Sequence, residues 1–161
     1  RAEVVGQNAK QLDNGMLIAV AAPPVARKFD QTGQSGREYW EQAAKFPLIQ
    51  AVGISDTWGE VLREKGLTAP PLPQYFVDTH GLGVDLAISG AGIALTNAMI
   101  AAPALKDGKL VCLPFLGIPA KEGYYAAINP GERIGIANTF LSWLEGQITI
   151  VQSSKAIGAS T

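Results

Sequence analysis

Residues 77–100 read VDTHGLGVDLAISGAGIALTNAMI, a mostly apolar stretch whose first residues include an acid, a hydroxyl and the single histidine of the chain. The run PQYFVD leads into this stretch, and GIAL lies near its end; both have the length and composition of strands. Between them, THGLGVDLAIS has the length of a short helix. The stretch therefore predicts a strand, a helix and a second strand in succession, which is the repeating unit of an α/β sheet.

The glycines of this stretch do not form a phosphate-binding loop. A dinucleotide-binding fingerprint places its glycines between the strand and the helix, where backbone N–H groups approach a pyrophosphate. Gly90 and Gly92 instead follow the predicted helix. They are typical of a helix C-terminus and a tight turn into the strand GIAL.

The composition is that of one globular chain with 161 residues, 47% hydrophobic residues and a formal net charge of -1. Its 13 basic and 14 acidic residues form no basic stripe, so this chain is not expected to bind nucleic acid by itself. No apolar run is long enough to span a bilayer, and residues 1–20 lack the features of a signal peptide. We therefore expect no membrane partner, and we expect a cytoplasmic location.

Strands and helices alternate along the rest of the chain. Strands are predicted at MLIAVAAPP, FPLIQAV, DGKLVCLPFL and YYAAINP, with a polar connection between the first two. SDTWGEVLREKGL predicts a short helix that Ser55 or Asp56 caps and Gly66 ends. The single cysteine, Cys112, excludes an internal disulfide and is expected to be an inert thiol in a buried strand.

The segment IGIANTFLSWLEGQI predicts a longer helix, followed by a frayed end over residues 152–161. Its apolar residues recur at helical spacing and make one stripe, which needs a partner surface. The stripe consists of Ile136, Phe140, Trp143, Leu144 and Ile148.

Two predicted strands end in polar residues where a helix begins. Asp78 and Thr79 follow one strand, and Gly53, Ser55 and Thr57 follow the other. Small ligands of open α/β sheets bind beyond the carboxyl ends of the strands, near helix N-termini. These ends are therefore candidate walls of a pocket. A purely structural role as helix N-caps remains open for Asp78 and Thr79.

No catalytic or metal site is predicted. His80 has no second histidine or cysteine to complete a metal site and is expected to be an exposed residue at a helix start. No serine occupies a nucleophile elbow, and paired carboxylates at helical spacing are missing. Neither an enzyme nor a cofactor is expected.

The order of these motifs resembles the effector-binding region of LysR-type transcriptional regulators over roughly residues 14–146. It is most similar to the glycine-cleavage-activator-like branch, in which a tryptophan opens the helix after the PLI strand. Single motifs such as GAGIAL are loose patterns, whereas the order and spacing of seven motifs are more specific. In chain order they are LIAVAAPPV, FPLIQAV, TWGEVLREKGL, YFVDTHGLGVDLAISGAGIALTNAMI, LKDGKLVCLPFL, GYYAAINP and ANTFLSWLEGQI.

The resemblance implies an α/β fold of the periplasmic-binding-protein-like type 2, with two subdomains joined by two crossover strands. The first subdomain would be truncated at its N-terminus, because its early strands and the winged helix-turn-helix domain have no counterpart in the sequence. RAEVVGQNAKQL would then be a loop that leads to a crossover. The implied boundaries are 1–24 for the end of the first subdomain and a crossover strand, 25–119 for a complete second subdomain, 120–150 for the return crossover and C-terminal helix, and 151–161 for a tail.

The implied function is to sense a small polar or carboxylate-bearing metabolite in an interdomain cleft and so control DNA binding by the absent winged helix-turn-helix domain. Arg1 would pair with a carboxylate of the effector, whereas Asp78 disfavours a fully anionic ligand. The implied assembly is a homodimer or homotetramer, with the helix at residues 80–89 as a contact. The residues that the resemblance places at the effector are Arg1, Val52, Gly53, Ile54, Ser55, Asp78 and Thr79.

Two other functions stay open. A stand-alone solute-binding protein of a transporter shares this fold and would carry an export signal. A small α/β hydrolase or transferase would show turnover and a clustered acid–base pair. The upstream coding sequence would distinguish a regulator from a solute-binding protein, because a regulator carries a winged helix-turn-helix there and a transporter component carries a signal peptide.

Overall fold

The computed structural model of the chain describes residues 9–13, 15–29, 36–53, 57–68, 70–114, 118–121, 123–128 and 134–158. They belong to two compact units. The central unit spans Met16–Lys121, and the terminal unit combines Arg1–Gly15 with Glu122–Thr161.

A six-stranded mixed sheet forms the centre of the central unit. In sheet order its strands are β4 (Tyr75–Val77), β3 (Leu48–Ala51), β5 (Ile93–Asn97), β2 (Met16–Ala21) and β6 (Val111–Cys112), and β7 (Ile118–Pro119) pairs with the other end of β2. Strand β3 runs parallel to both β4 and β5, whereas β2 is antiparallel to its neighbours. The predicted strands PLIQAV, YFVD and GIAL are thus adjacent and parallel, which confirms the predicted α/β sheet.

One face of the sheet, called the aromatic face here, is covered by α2 (Gly36–Ala43) and α3 (Trp58–Glu64). Trp40 and Trp58 are fully buried there, with ring centroids 6.0 Å apart, and Tyr39 packs edge-on against Trp40. The buried side chains of this face include Leu17, Tyr39, Trp40, Leu48, Trp58, Val61, Leu62, Ile93 and Leu95.

The connection between β2 and β3 contains more helix than the sequence predicted. Pro23 and Pro24 end the strand as predicted, but they also form the first turn of α1 (Pro23–Ala26), a position that proline tolerates. A short 3-10 turn, Arg27–Phe29, follows α1, and α2 lies further along. The prediction of a merely polar connection was wrong because the sequence of α2, GREYWEQA, is largely polar.

The opposite face, called the alanine face here, is covered by α4 (His80–Ile88) and α5 (Ala98–Lys106). Its core holds small side chains, which let helices and strands approach closely. A Cβ added at Gly83 of α4 would already touch Val77 Cγ2 at 3.6 Å and Ile49 Cγ2 at 3.7 Å. The alanines of this core are Ala51, Ala87, Ala94, Ala98, Ala101 and Ala104.

Gly90 and Gly92 form the predicted turn between α4 and β5. Gly90 has a φ of 83°, a conformation that favours glycine at a helix end. A Cβ added at Gly92 would lie 2.2 Å from the backbone oxygen of Pro47, which accepts a hydrogen bond from Ile93 N at 2.9 Å. The glycines therefore serve the turn and the close approach of two backbones, as the sequence predicted.

The terminal unit contains β1 (Ala9–Asp13), which pairs antiparallel with β8 (Tyr124–Ala127), and the helix α6 (Ile134–Gly158). Lys10 of β1 forms an ion pair with Glu145 of α6 at 2.7 Å. The prediction that RAEVVGQNAKQL is a loop was wrong for its described part, because residues 9–12 belong to β1, in which Ala9, Lys10 and Gln11 pair with β8.

Helix α6 carries the predicted apolar stripe, and most of the stripe is uncovered. Ile136 is 71% exposed, and Phe140 and Trp143 are each 57% exposed, whereas Ile148 is buried. The helix continues to Gly158. The prediction of a frayed end from residue 152 was therefore wrong for residues 152–158. No proline follows Pro130 in the sequence, so this helix breaker is absent from the segment.

Cys112 is exposed rather than buried, which corrects the expected core position of this thiol. Strand β6 has only two residues, and the side chains that point into the core are the neighbouring Leu110 and Leu113. Among the helices that the structure describes, none is both long enough and apolar enough to cross a membrane.

Candidate functional site

The carboxyl ends of three parallel strands lie at one edge of the central sheet, with β3 between β4 and β5. The register pairs Ala51 with Val77 and Ile49 with Ala94. If the first pairing is continued by one residue, Val52 lies beside Asp78; if the second is continued by three residues, Val52 lies beside Asn97. A hydrogen bond from Val52 N to Val77 O, 2.8 Å long, continues the ladder to this point.

Asp78, Val52 and Asn97 are therefore level with one another on adjacent strands, and they are called the edge row here. Side chains alternate along a strand, and Val77, Ala51 and Ala94 belong to the alanine face. The three residues of the edge row consequently belong to the aromatic face. Because neighbouring strands are about 4.8 Å apart, the backbones of Asp78 and Asn97 are separated by about 10 Å.

The space above the end of β3 is open. Val52 is 50% exposed, and Asp78 is exposed as well. Gly53 has a φ of 75°, and a Cβ added to it would find no described atom within 4 Å. An apolar surface with a carboxylate on one side is therefore accessible to a ligand.

Thr79 begins helix α4 at this edge. Its Oγ1 accepts a hydrogen bond from Leu82 N at 3.2 Å, which makes Thr79 the N-cap. The structural alternative considered for Thr79 is thus confirmed, whereas Asp78 precedes the cap. The cap uses Thr79 Oγ1 only as an acceptor, so its hydroxyl hydrogen can still point to an acceptor on a ligand.

The N-cap of α3 is Thr57 and not Ser55 or Asp56, which corrects the predicted cap. Glu60 N donates to Thr57 Oγ1 at 3.3 Å, and Thr57 N donates to the Glu60 carboxylate at 3.2 Å. This reciprocal pair is a capping box. Three adjacent residues that all favour N-cap positions made the choice ambiguous in the sequence.

Glu60 also binds Lys121, which lies shortly after β7. Lys121 Nζ donates to Glu60 Oε1 at 2.9 Å. This hydrogen bond, with a second one from the backbone of Thr57, lowers the pKa of the Glu60 carboxyl. The contact ties the start of α3 to a residue 61 positions away in the sequence.

Asn97 is the residue of this edge that the sequence analysis missed. It is 3% exposed, and its Oδ1 accepts a hydrogen bond from Met99 N at 2.8 Å, which caps α5. The preceding residue, Thr96, is fully buried, and its Oγ1 makes no hydrogen bond in the described part of the chain. The signal in the sequence was the polar pair TN at the end of the apolar run GIAL.

Four of the seven predicted effector-binding residues lie together at this edge: Val52, Gly53, Asp78 and Thr79. Effector binding by them stays a prediction. The other three, Arg1, Ile54 and Ser55, lie outside the described residues.

The described residues of this edge carry groups that can form hydrogen bonds. His80 is half-buried rather than exposed as predicted, since it forms the first turn of α4 against the sheet. In the parts of the chain that the structure describes, no three His, Cys, Asp or Glu side chains are grouped so that they could hold a metal ion. Hydrogen bonding is the chemistry that the described residues of this edge can supply.

Known proteins resemble the chain in sequence. The family model for the LysR substrate binding domain matches residues 18–148. The HTH-type transcriptional regulator y4mQ of Sinorhizobium fredii is 30% identical over 137 residues, which cover 83% of this chain and 43% of that protein. The Glycine cleavage system transcriptional activator of Escherichia coli is 28% identical over 131 residues, or 80% of this chain and 42% of that protein. The chain thus spans less than half the length of these relatives.

The fold also has a counterpart among solved structures. The effector domain of the transcriptional regulator AmpR of Pseudomonas aeruginosa aligns with a TM-score of 0.67 and 20% sequence identity, over 92% of this chain and 68% of that chain. This likeness confirms the expected type 2 periplasmic-binding-protein-like fold. Since the family model covers most of the sequence and includes all three parallel strands, the chain belongs to the LysR substrate binding domain family, a family of regulator domains and not of enzymes.

Proposed function

We propose that the chain is the effector-sensing domain of a LysR-type transcriptional regulator and that its effector binds at the carboxyl edge of the central sheet. The observation that carries the proposal is the position of Val52, Gly53, Asp78 and Thr79 around one open strand end, in a chain of the substrate binding domain family. Strand ends of this kind are the usual ligand sites of open α/β sheets. The domain boundaries at residues 24, 119 and 150 belong to the same proposal.

The effector is a small polar metabolite, and a zwitterion fits the charges best. The carboxylate of Asp78 is exposed and attracts an ammonium group, whereas it repels a ligand that carries only negative charge. The N-terminus of α5, which Asn97 caps, favours a negative group nearby. A free amino acid offers both charges at short separation. Binding by Arg1, Ile54 and Ser55 remains part of the proposal from the sequence.

Regulation requires that the effector bind one state of the protein more tightly than another. A difference of ~1–3 kcal/mol between the two states is sufficient for this coupling. DNA binding would belong to a helix-turn-helix domain elsewhere in the protein, as the name of the Sinorhizobium relative indicates for that protein. A regulator that binds DNA in this way acts in the cytoplasm.

The replacement of Thr79 by valine tests the binding edge. Loss of the hydroxyl is expected to weaken binding by ~0.5–1.5 kcal/mol if it faces a neutral group, and by ~1.5–3 kcal/mol if it faces a charged one. Because Thr79 also caps α4, the variant should lose ~0.5–2 kcal/mol of stability. Calorimetric titration with each of the common amino acids, together with thermal melting, measures both effects.

Thr79→Ser is the matched control for this experiment. Serine keeps the hydroxyl, so both the cap and the affinity should stay close to those of the original chain. An unchanged dissociation constant for Thr79→Val, accompanied by a lower melting temperature, would show that the hydroxyl serves the fold alone. It would remove Thr79 from the binding edge.

The domain also associates with itself, as a homodimer or homotetramer, through α4 and the adjacent strand β4. Strand β4 is the end strand of the sheet, and its Tyr75 and Phe76 are 43% and 62% exposed. Leu82 of α4 is 45% exposed. Sedimentation equilibrium should show self-association that Leu82→Glu weakens and Phe140→Glu, on the uncovered stripe of α6, does not. A domain that stays monomeric at all concentrations contradicts this assembly.

A further inference from the structure

We infer that Asn97 binds the effector directly, with its side-chain amide nitrogen donating hydrogen bonds to the carboxylate of an amino acid whose ammonium group contacts Asp78. The inference rests on the proposed function and adds a residue and an orientation of the ligand to it. The capping contact of Asn97 and its place in the edge row carry it.

The amide nitrogen of Asn97 is an unused donor in a side chain that is almost wholly buried. Asn97 is 3% exposed, and Oδ1 makes the hydrogen bond that caps α5. No hydrogen bond from Nδ2 exists in the described part of the chain. Buried polar groups are nearly always hydrogen-bonded, so a donor in this position calls for an acceptor.

Capping alone does not require asparagine at position 97. A helix N-cap needs one acceptor oxygen, and threonine supplies it at the starts of α3 and α4. The two N–H groups of the asparagine amide are additional to that need. They occur at the end of a strand whose preceding residues, Ile93, Ala94 and Leu95, are apolar and buried. A binding role accounts for donors that the cap does not use.

The edge row sets the size and the orientation of the ligand. Asp78 and Asn97 flank Val52 on the same face, at a backbone separation of about 10 Å. Their side chains have the same length and belong to the same face, so the polar ends are about as far apart as the backbones, and two hydrogen bonds of about 2.9 Å leave about 4 Å between the ligand atoms that they reach. A small zwitterion covers this distance with its ammonium toward Asp78 and its carboxylate toward Asn97. Val52, 50% exposed, then contacts the aliphatic part of the ligand.

The test compares Asn97→Asp and Asn97→Thr with the original full chain. Both variants keep an oxygen that caps α5, so Asn97→Thr should change the melting temperature little. Asn97→Asp places a carboxylate at a position that is 3% exposed, so its melting temperature should fall. Each common amino acid is titrated calorimetrically, and the tightest binder serves as the probe. Asn97→Asp should raise its dissociation constant at least about 10-fold, because a donor to a charged group is replaced by a second negative charge. Asn97→Thr, which adds no charge, should raise it about 3-fold or more.

The amine that lacks the carboxylate of the probe is the matched ligand control. Asn97→Asp should change the dissociation constant of this amine less than it changes the dissociation constant of the probe. If both variants bind the probe as tightly as the original chain while Thr79→Val binds it more weakly, Asn97 has no binding role and the proposed function stands. If no amino acid binds the original chain, the amino-acid class of effector and the role of Asn97 both fail.

Nuclear magnetic resonance gives a readout that does not depend on the folding of a variant. The side-chain amide signals of Asn97 in the original chain are assigned from their absence in the spectrum of Asn97→Asp or Asn97→Thr, or by sequential methods if neither variant folds. Addition of the probe should shift these signals more than those of Asn138, which lies on α6 in the terminal unit. Unshifted Asn97 signals, in a sample whose Thr79 amide signal shifts, would overturn the inference.

Discussion

The two faces of the central sheet are packed in opposite ways. The aromatic face is filled by a few large side chains, among them the fully buried Trp40 and Trp58. The alanine face is filled by many small ones, and its helices lie close to the strands. Stability therefore depends on single side chains at the first face and on the closeness of backbones at the second. The first face should be sensitive to truncation and the second to enlargement.

The helices of the two faces also begin differently. On the aromatic face, α3 starts with a capping box that Lys121 extends by an ion pair. On the alanine face, α4 starts with the single hydrogen bond that Thr79 accepts. Both starts border the edge row, so this difference affects how firmly each side of the proposed site is held.

Truncation of a large side chain on the aromatic face should have the largest effect. Trp58→Ala is expected to lower the free energy of unfolding by about 3–5 kcal/mol. Trp58 is fully buried, and it also donates from Nε1 to Ile49 O at 2.9 Å. Urea denaturation followed by circular dichroism measures the loss. Trp143→Ala, at a tryptophan that is 57% exposed, should change stability far less; equal losses in the two variants would remove the contrast.

Enlargement on the alanine face should have the next largest effect. Ala101→Leu adds three carbon atoms at a fully buried position of α5 and is expected to cost about 1–3 kcal/mol. The neighbouring Ala102 is only partly buried, so Ala102→Leu is the matched control and should cost less than half as much. The same denaturation experiment applies. If Ala101→Leu is neutral, the helices of this face are not packed as closely as described.

Much of this contrast could be predicted from the sequence, because β3, β4 and β5 are apolar runs separated by turns or helices. The aromatic face was harder to predict. The buried side chains of α2 are Tyr39, Trp40 and Ala43 among charged neighbours, and their partners on α3 lie about 20 residues away. Local periodicity in so short a helix is a weak signal, and the packing partners become evident only in three dimensions.

The candidate site shows the same division between local and distant information. Asp78, Thr79 and Gly53 were predicted because each follows a recognisable strand, which is local information, whereas Val52 was added by the resemblance to LysR-type regulators. Asn97 was missed because its relation to Val52 depends on the register between β3 and β5, 45 positions apart in the chain (97 − 52 = 45). A single sequence does not contain this register in readable form. The expected burial of Cys112 failed for a similar reason, since strand β6 proved to be only two residues long.

Removal of each N-cap in turn should show that the start of α3 contributes more to stability than the start of α4. Thr57→Ala is expected to lower the free energy of unfolding by about 0.5–2 kcal/mol, and Thr79→Ala by less within the same range. The reason is that Thr57 takes part in a reciprocal pair with Glu60, whereas Thr79 accepts one hydrogen bond. Thermal melting of both variants measures the difference. A larger loss for Thr79→Ala would reverse the order proposed for the two helices.

The pH dependence of the Glu60 contact should give the smallest effect. Because the pKa of Glu60 is lowered in the folded chain, its stabilising contribution is fully present above the ordinary value of 4.5 and is lost as the pH falls through the lowered value. Glu60→Gln should therefore be less stable than the original chain at neutral pH and equal to it in acid. The side chains are exposed, so the difference should stay below about 1 kcal/mol and shrink with added salt. Denaturation curves from pH 7 to pH 3 measure it, and a difference that persists in acid would assign the effect to another group.

The pairing of β1 with β8 has a consequence during protein synthesis. Ala9 pairs with Ala127, so 118 positions separate the partners (127 − 9 = 118). At about 5–20 residues per second, the ribosome needs about 6–24 s to reach β8 after it has made β1. For that time the backbone groups of β1 are an open strand edge that a neighbouring nascent chain can pair with. Lys10 and Asp13 place charges on this edge, and charged edge strands resist such aggregation until the proper partner emerges.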